Sequence, residues 1–276
     1  MDGWRYYNHA MIPTCAPHEE ADLSVVESGE IWNHERKPLL ARWTSDFDCG
    51  YETNWWYVIK DTPFDINTLK AKRRYEIKKG MRYFDVRIID PREYREELYC
   101  VQVDAFSAYP KKYRPTIDKQ KFVNGIDNWT DFKAFGAFLR ESNELCGYSL
   151  VLEKSDNWVD FSVQKTKPKY EKYQINAALV EKIVSHYEEL LFNGGVLCDG
   201  EKSIIHETNF QAYLEKNFGF RKAYCHLNIR YNSKVKLLIK ILYPFRTLLR
   251  KLDRIGIVHN INGVLKMEEV TRNERE

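Results

Sequence analysis

The sequence predicts an α/β (α+β) fold: a mixed, mostly antiparallel central sheet flanked by helices, with N-terminal and C-terminal extensions. Three observations carry this. Strand-like segments of alternating polarity pair off across short polar turns. From residue 145 to 231 the order is strand, turn, strand, basic loop, helix, strand, helix, strand. The composition, 43% hydrophobic and 30% charged over 276 residues, is that of a folded globular chain and not of a disordered one.

Residues 1–54 are hard to read. Trp4, Tyr6, Tyr7, Trp32, Trp43 and Phe47 are scattered among turn residues and charges. Two readings stay open: rings lining a substrate cleft, or rings anchoring an irregular segment to the main domain. WWYVIK at 55–60 reads as a strand, and 66–81 as a helix with Leu69, Arg73, Ile77 and Met81 four apart. Residues 70–82 hold seven basic side chains against one Glu, so this helix presents a basic face. It suits phosphate of RNA or of a lipid-linked precursor; a solvated face neutralised by neighbouring acids is the plainer alternative.

Residues 84–89 alternate as a strand, and a helix over 91–106 opens on Pro91. The two prolines within 108–121 mark a loop. KAFGAFLR (133–140) and GYSLVLEK (147–154) form a hairpin across 141–144, and WVDFSVQ (158–164) follows after a Ser-Asp-Asn turn. The loop 165–172 carries four lysines. Behind it Ile175, Ala178, Leu179, Ile183, Tyr187, Leu190 and Leu191 recur at helical spacing, and Gly194-Gly195 ends that helix. A short strand at 196–199, a helix with Phe210, Leu214 and Phe218 four apart, and a strand at 220–231 complete the series. Residues 235–252 are apolar at helical spacing with interspersed cations, interrupted by Pro244. Such a segment either lies on an anionic membrane surface or covers an apolar flank of its own domain. Residues 268–276 read as a charged, disordered tail.

The net charge of +3 is too small to mark the whole chain as a nucleic-acid binder. Six cysteines without a Cys-x-x-Cys pair give neither a zinc pattern nor a disulfide framework, so reduced thiols and a cytoplasmic location are expected. No segment approaches the apolar length of a membrane span, so any membrane contact is peripheral, at the inner face. No metal is expected. Asp199 and His206 bracket a polar turn at the open end of a strand, where ligands of such sheets gather, and are the candidate bases.

The series from the hairpin onward resembles the GNAT superfamily, the N-acetyltransferase fold, over about 150 residues back to Phe84. The residues that carry the resemblance are Pro168 and Tyr170 in the loop, Leu179 in the helix, Asn209 and Ala212, and the pair Gly219-Phe220. The resemblance implies an acyltransferase domain over 70–231, an aromatic-rich extension over 1–69 and a basic amphipathic segment with a tail over 232–276. It implies acetyl-CoA or another acyl-CoA as donor. Backbone amides of Phe161, Ser162, Val163 and Gln164 would face the thioester carbonyl. The pyrophosphate would sit at the helix start near Lys172, Tyr173, Gln174, Ile175 and Asn176, with Asn209 completing the cofactor site. Tyr213, four residues after Asn209, would protonate the leaving thiolate. The acceptor would be an amine of a small molecule or sugar, for instance in surface-polysaccharide assembly. Where the family loop carries glycines, this chain has Gln174 and Asn176. A second branch, the Fem-type aminoacyl transferases whose donor is a charged tRNA, also lacks those glycines. The run KRRYEIKKG at 72–80 and FGFRK at 218–222 resemble it. A catalytically silent binding module is the third reading. Oligomeric state is not legible.

Overall fold

The computed structural model describes residues 2–109, 114–204, 209–253 and 256–273. Among the described residues ten strands follow in chain order: β1 Trp4–Tyr7, β2 Ala10–Pro13, β3 Leu40–Ser45, β4 Trp55–Lys60, β5 Phe84–Ile89, β6 Phe132–Leu139, β7 Leu145–Ser155, β8 Trp158–Thr166, β9 Val196–Glu201 and β10 Arg221–Tyr231. The α-helices are α1 Ser24–Glu27, α2 Ala71–Tyr83, α3 Arg95–Ser107, α4 Lys119–Gly125, α5 Ile175–His186, α6 Glu188–Phe192, α7 Asn209–Phe218, α8 Ser233–Leu242, α9 Arg246–Lys251 and α10 Gly256–Asn273. The chain forms two compact units. One comprises residues 1–58, 201–209 and 222–276, the other 59–200 and 210–221.

The second unit is built on the strand series β9-β8-β7-β6-β5. Its β5/β6, β6/β7 and β7/β8 pairs are antiparallel, and β8/β9 is parallel. The two-residue period of a strand sorts its side chains between two helical layers. On β6 and β7, Ala134, Phe138, Tyr148 and Leu150 meet Leu98 and Val101 of α3. The alternate positions face α5: Phe135 packs edge-on against His186, and a Cβ at Gly147 would touch Ile175 at 3.1 Å. The buried residues of α5, including Ile175, Leu179 and Ile183, follow the predicted helical spacing. Tyr187 is the one departure there, separating α5 from α6 where a single helix was expected.

The other unit holds β1-β2-β3-β10. β1 and β2 form a hairpin whose two linking residues, Asn8 and His9, both have positive φ, the tight turn that matches strand twist. β2 runs parallel to β3, and β3 antiparallel to β10. Of the scattered N-terminal rings Trp4 is core, buried with Met11, Val26, Ile31 and Ala41, and Tyr6, Trp32 and Trp43 pack on them half-buried, while Tyr7 is exposed. A second cluster joins Trp55, Cys225 and Leu227 to Met267 and Val270 of α10. Residues 268–273, read as tail, form the last turns of that helix.

Candidate active site

The site is read within the second unit, where β8 leaves β9. The two strands pair only at Trp158–Val196, Val159–Leu197 and Asp160–Cys198. Asp160 is fixed there by the Trp158 indole, which donates to Oδ1 at 2.7 Å, and by Lys154 at 3.3 Å. Beyond Asp160, β8 runs on to Thr166 with no β9 partner. On its other edge the register slips. Leu150 faces Val163 while Val151 faces Phe161, so Ser162 has no opposite residue and forms a bulge. Phe161, Ser162, Val163 and Gln164 therefore lie together along an edge that is unpaired with β9, re-aimed by the bulge. Phe161 is buried edge-on to Phe220, and Ser162 is exposed.

Asp199 follows the last paired residue on the other arm of this splay. The residue as a whole is half-buried, yet burial pushes its carboxyl up to about 8, with a hydrogen bond from Gln211 of α7 opposing the change. Such a carboxyl is protonated over much of the neutral range and gives up its proton just above it, which fits general base or acid work. Tyr213 lies two residues along α7 from Gln211, and positions two apart on a helix face different ways. Its phenol sits instead beside α2, where Arg73 and Glu76 are paired at 2.5 Å. Burial raises the phenol above its ordinary range, Glu76 adds to this, and Arg73 opposes it. Asp199 and Tyr213 thus belong to different faces of α7. Asn209 is the exposed first residue of α7, and His206 lies outside the described residues.

The basic loop folds as a 3₁₀ turn over Pro168–Tyr173, and its cations are used within the protein. Glu144, at the end of the β6–β7 turn, accepts from Lys167 at 2.8 Å, Lys169 at 3.3 Å and the Tyr170 hydroxyl at 2.5 Å. Burial works against its charge, but Lys167, Tyr170 and Lys169 outweigh that and hold the carboxyl down at about 2. Lys79 of α2 donates to the Lys172 carbonyl at 2.9 Å. Its ammonium also lies over the ring of Tyr173, as does that of Lys172.

The start of α5 is packed just as closely. Gln174 turns the chain through a positive φ of 66°, and Ile175 is fully buried. Asn176 Oδ1 accepts from Gln164 Nε2 at 2.9 Å, tying the helix to β8. The Gln164 Oε1 is buried and unpartnered. Against this first turn lies Gly80 of α2: a Cβ there would be 2.5 Å from the Gln174 carbonyl and 3.1 Å from the Ala178 nitrogen. Only a glycine lets α2 come this near.

The outer face of α2 offers Lys72, Lys78 and Arg82 to solvent, preceded by exposed Lys70. None of the four has an ion-pair partner among the described residues. Tyr75, 62% exposed, stands among them. Arg73, Arg74 and Lys79, which the sequence assigned to the same basic face, are tied to Glu76, to the carbonyls of Asn67 and Leu69, and to Lys172 respectively.

Sequence reasoning missed Glu144, Gln211 and the contact at Gly80. No short-range pattern links Glu144 to Lys167, because the strand pair β7/β8 brings them together. The bulge at Ser162 leaves no sequence signal either.

The mixed, mostly antiparallel sheet flanked by helices has counterparts among solved structures. The fold is GNAT-like. FemX superposes with a TM-score of 0.55 at 8% identity, covering 87% of this chain and 85% of that one. L-PGS from Bacillus licheniformis gives 0.52 at 11%, covering 87% and 83%. The C-terminal domain of a putative lysylphosphatidylglycerol synthetase from Agrobacterium fabrum gives 0.51 at 10%, covering 86% and 82%. At such identities the likeness is one of fold. No protein-family model matches the sequence, and no curated protein matches it in sequence.

Proposed function

We propose that this protein is a transferase that moves an aminoacyl group from a charged tRNA to an amine of a small molecule or sugar. The observation that carries the acyl-transfer chemistry is the splay: an unpaired, bulged β8 edge at 161–164 faces away from β7 while Asp199 closes the other arm. In this reading the donor ester carbonyl lies against that edge. Asp199 in its ionised form takes a proton as the acceptor amine attacks the carbonyl carbon. Backbone N–H groups of the edge stabilise the resulting oxyanion, a term that often dominates acyl transfer. Collapse breaks the ester C–O bond, and the departing ribose oxygen takes the proton that Asp199 removed from the amine, becoming a hydroxyl and returning Asp199 to its ionised form. An amide is formed and the tRNA is released.

Two observations favour tRNA over acyl-CoA as carrier. The loop expected to bind the CoA pyrophosphate has two of its four lysines, Lys167 and Lys169, bound to Glu144, and Gly80 packs against the adjoining helix start. On α2, by contrast, four unpaired cations surround an exposed tyrosine, a mixture suited to phosphates and an unstacked base. The overall likeness to FemX and to lysylphosphatidylglycerol synthetase is in keeping with this choice.

The test is transfer of labelled amino acids from a mixture of charged tRNAs, run beside calorimetry with acetyl-CoA and longer acyl-CoAs. Expected are tRNA binding that weakens steeply with salt, and a charge-reversed Lys72→Glu/Lys78→Glu pair that abolishes it. Asp199→Asn should lose at least about a hundredfold in turnover, the usual scale for a general base, and Tyr213→Phe much less. Heat with an acyl-CoA and none with tRNA would overturn the choice of donor.

A further inference from the structure

The other unit carries a surface that the transferase reading leaves unused and that stands independently of it. Helices α8 and α9, joined by a 3₁₀ turn through Pro244, have a well-fixed inner side. Asn232 caps α8 by accepting from the Val235 nitrogen at 3.0 Å, and Ile239 is buried. Glu269 of α10 pairs with Arg246 and with Arg250. Asn262 of α10 donates to the Leu249 carbonyl at 3.1 Å. The segment is therefore anchored, and its outward side is a settled feature of the fold.

That outward side is apolar. Leu238, Ile241, Phe245, Leu248 and Leu252 recur at intervals of three and four residues, and all are exposed, from 45% to 58%. Leu237, beside them in sequence, is 60% exposed. Single exposed apolar residues are ordinary on a protein surface; a helical row of them on a fixed segment is the mark of a contact site. Lys234, four residues before Leu238, and Lys251, three after Leu248, flank the row; Lys236 and Lys240 stand two from Leu238 and point away from it, and all four are exposed and without an ion-pair partner among the described residues. The acids of this region are otherwise engaged: Asp253 accepts from Asn262 and lies at 2.9 Å from the His259 ring, and Glu269 holds the two arginines.

We infer that α8 and α9 dock this protein on an anionic bilayer surface, with the leucine, isoleucine and phenylalanine row in the acyl boundary and the lysines among the headgroups. Charge complementarity selects this occupant. A second copy would set the unneutralised Lys234 and Lys251 against the same pair, whereas an anionic leaflet satisfies both. No helix among the described residues is long and apolar enough to cross a membrane, so the contact is one of surface insertion. Each cation near an anionic leaflet strengthens binding by about fivefold, so Lys234 and Lys251 together contribute about 25-fold.

The experiment is vesicle flotation of the full chain with phosphatidylcholine alone and with phosphatidylcholine containing phosphatidylglycerol. Expected is flotation with the anionic vesicles only. Lys234→Gln/Lys251→Gln should weaken it by about 25-fold. Leu238→Ser/Ile241→Ser/Phe245→Ser should weaken it by at least about tenfold, with thermal unfolding unchanged because these side chains already face solvent. Absence of flotation with anionic vesicles would overturn the inference, as would a serine variant that floats as well as the parent. A dimer in sedimentation that the serine variant abolishes, with no vesicle binding, would assign the row to a second copy.

Discussion

Asp199→Asn separates the electrostatic account of the candidate base from its catalytic use. In the folded protein burial holds the carboxyl up at about 8, against an ordinary value of 3.8. The unfolded chain therefore releases this proton about four pH units before the folded chain does. Between those values the folded state binds one more proton than the unfolded state, so stability falls as pH rises. A tenfold change in proton affinity is worth about 1.4 kcal/mol, so the difference between the two states sets a ceiling of about 6 kcal/mol. Partial solvent access to a half-buried residue reduces this, and about 3 kcal/mol is the expected loss by pH 9. Asparagine copies the shape of the protonated acid and does not ionise. The variant should match the parent near pH 4 and exceed it by about 3 kcal/mol at pH 9. Urea unfolding at intervals from pH 4 to pH 9 measures the difference. Parallel stability curves for the two proteins would refute the reasoning, because they would mean that Asp199 ionises normally in the fold.

Three further outcomes follow from named contacts. Gly80→Ala should destabilise by about 1–3 kcal/mol in urea, because the clash with the Gln174 carbonyl outweighs the roughly 1 kcal/mol that alanine gains in a helix; a stabilised variant would show that α2 and α5 are not packed this closely. Glu144→Gln should cost about 1 kcal/mol at pH 7, discounted for a carboxylate with solvent access. Since the Glu144 value is depressed to about 2, that difference should be full above about pH 4.5 and fade as pH falls toward 2, which a comparison at pH 7 and pH 3 would read. Lys60, only 2% exposed, has its ammonium 5.6 Å from the Phe64 ring centroid and is lowered by burial, with Asp61 opposing. Lys60→Met should stabilise by about 1 kcal/mol at neutral pH. The gain should shrink as pH rises toward 10.5, where the unfolded chain's lysine also loses its proton; a loss of stability at pH 7 would contradict it.

What the sequence made legible was what local periodicity encodes. Strands β4 and β5 begin and end where alternation places them, and the buried row of α5 follows the spacing of Ile175, Leu179 and Ile183. Residues 1–54 were opaque in part because β1 and β2 are only four residues long, too short for a period to emerge. The rings there read as cleft or anchor; Trp4 is buried as an anchor is, and Tyr7 is exposed. At the candidate site the outcome divides by the range of the interaction. Asp199 stood out from its place at a strand end, a local cue. Its partner Gln211 and the Glu144 clamp depend on pairings across many residues, which no spacing rule reaches. The basic helix shows the same limit from the other side: seven cations were visible in the sequence, and only the fold shows that Arg73, Arg74 and Lys79 have internal partners.

Glu144 also bears on the donor through charge alone. A carboxylate held down at about 2 stays ionised at neutral pH, whatever approaches it. A pyrophosphate brought to the lysine loop would meet that negative charge together with Lys167 and Lys169. At about 4 Å and an effective dielectric constant near 20, one such repulsion is worth about 4 kcal/mol, enough to cancel the attraction of one of the lysines. Lys167, Tyr170 and Lys169 hold the Glu144 carboxyl down, which opposes its neutralisation at pH 7. The attraction expected of Lys167 and Lys169 is thereby reduced. The α2 face has no such acid: Glu76 is bound to Arg73, leaving Lys70, Lys72, Lys78 and Arg82 with their full charge. A polyanion that spans several of them gains by releasing a counterion at each contact, an advantage that a single pyrophosphate lacks. The arrangement of charge in this unit thus favours a donor whose phosphates are spread along a chain over one whose phosphates are gathered at a point.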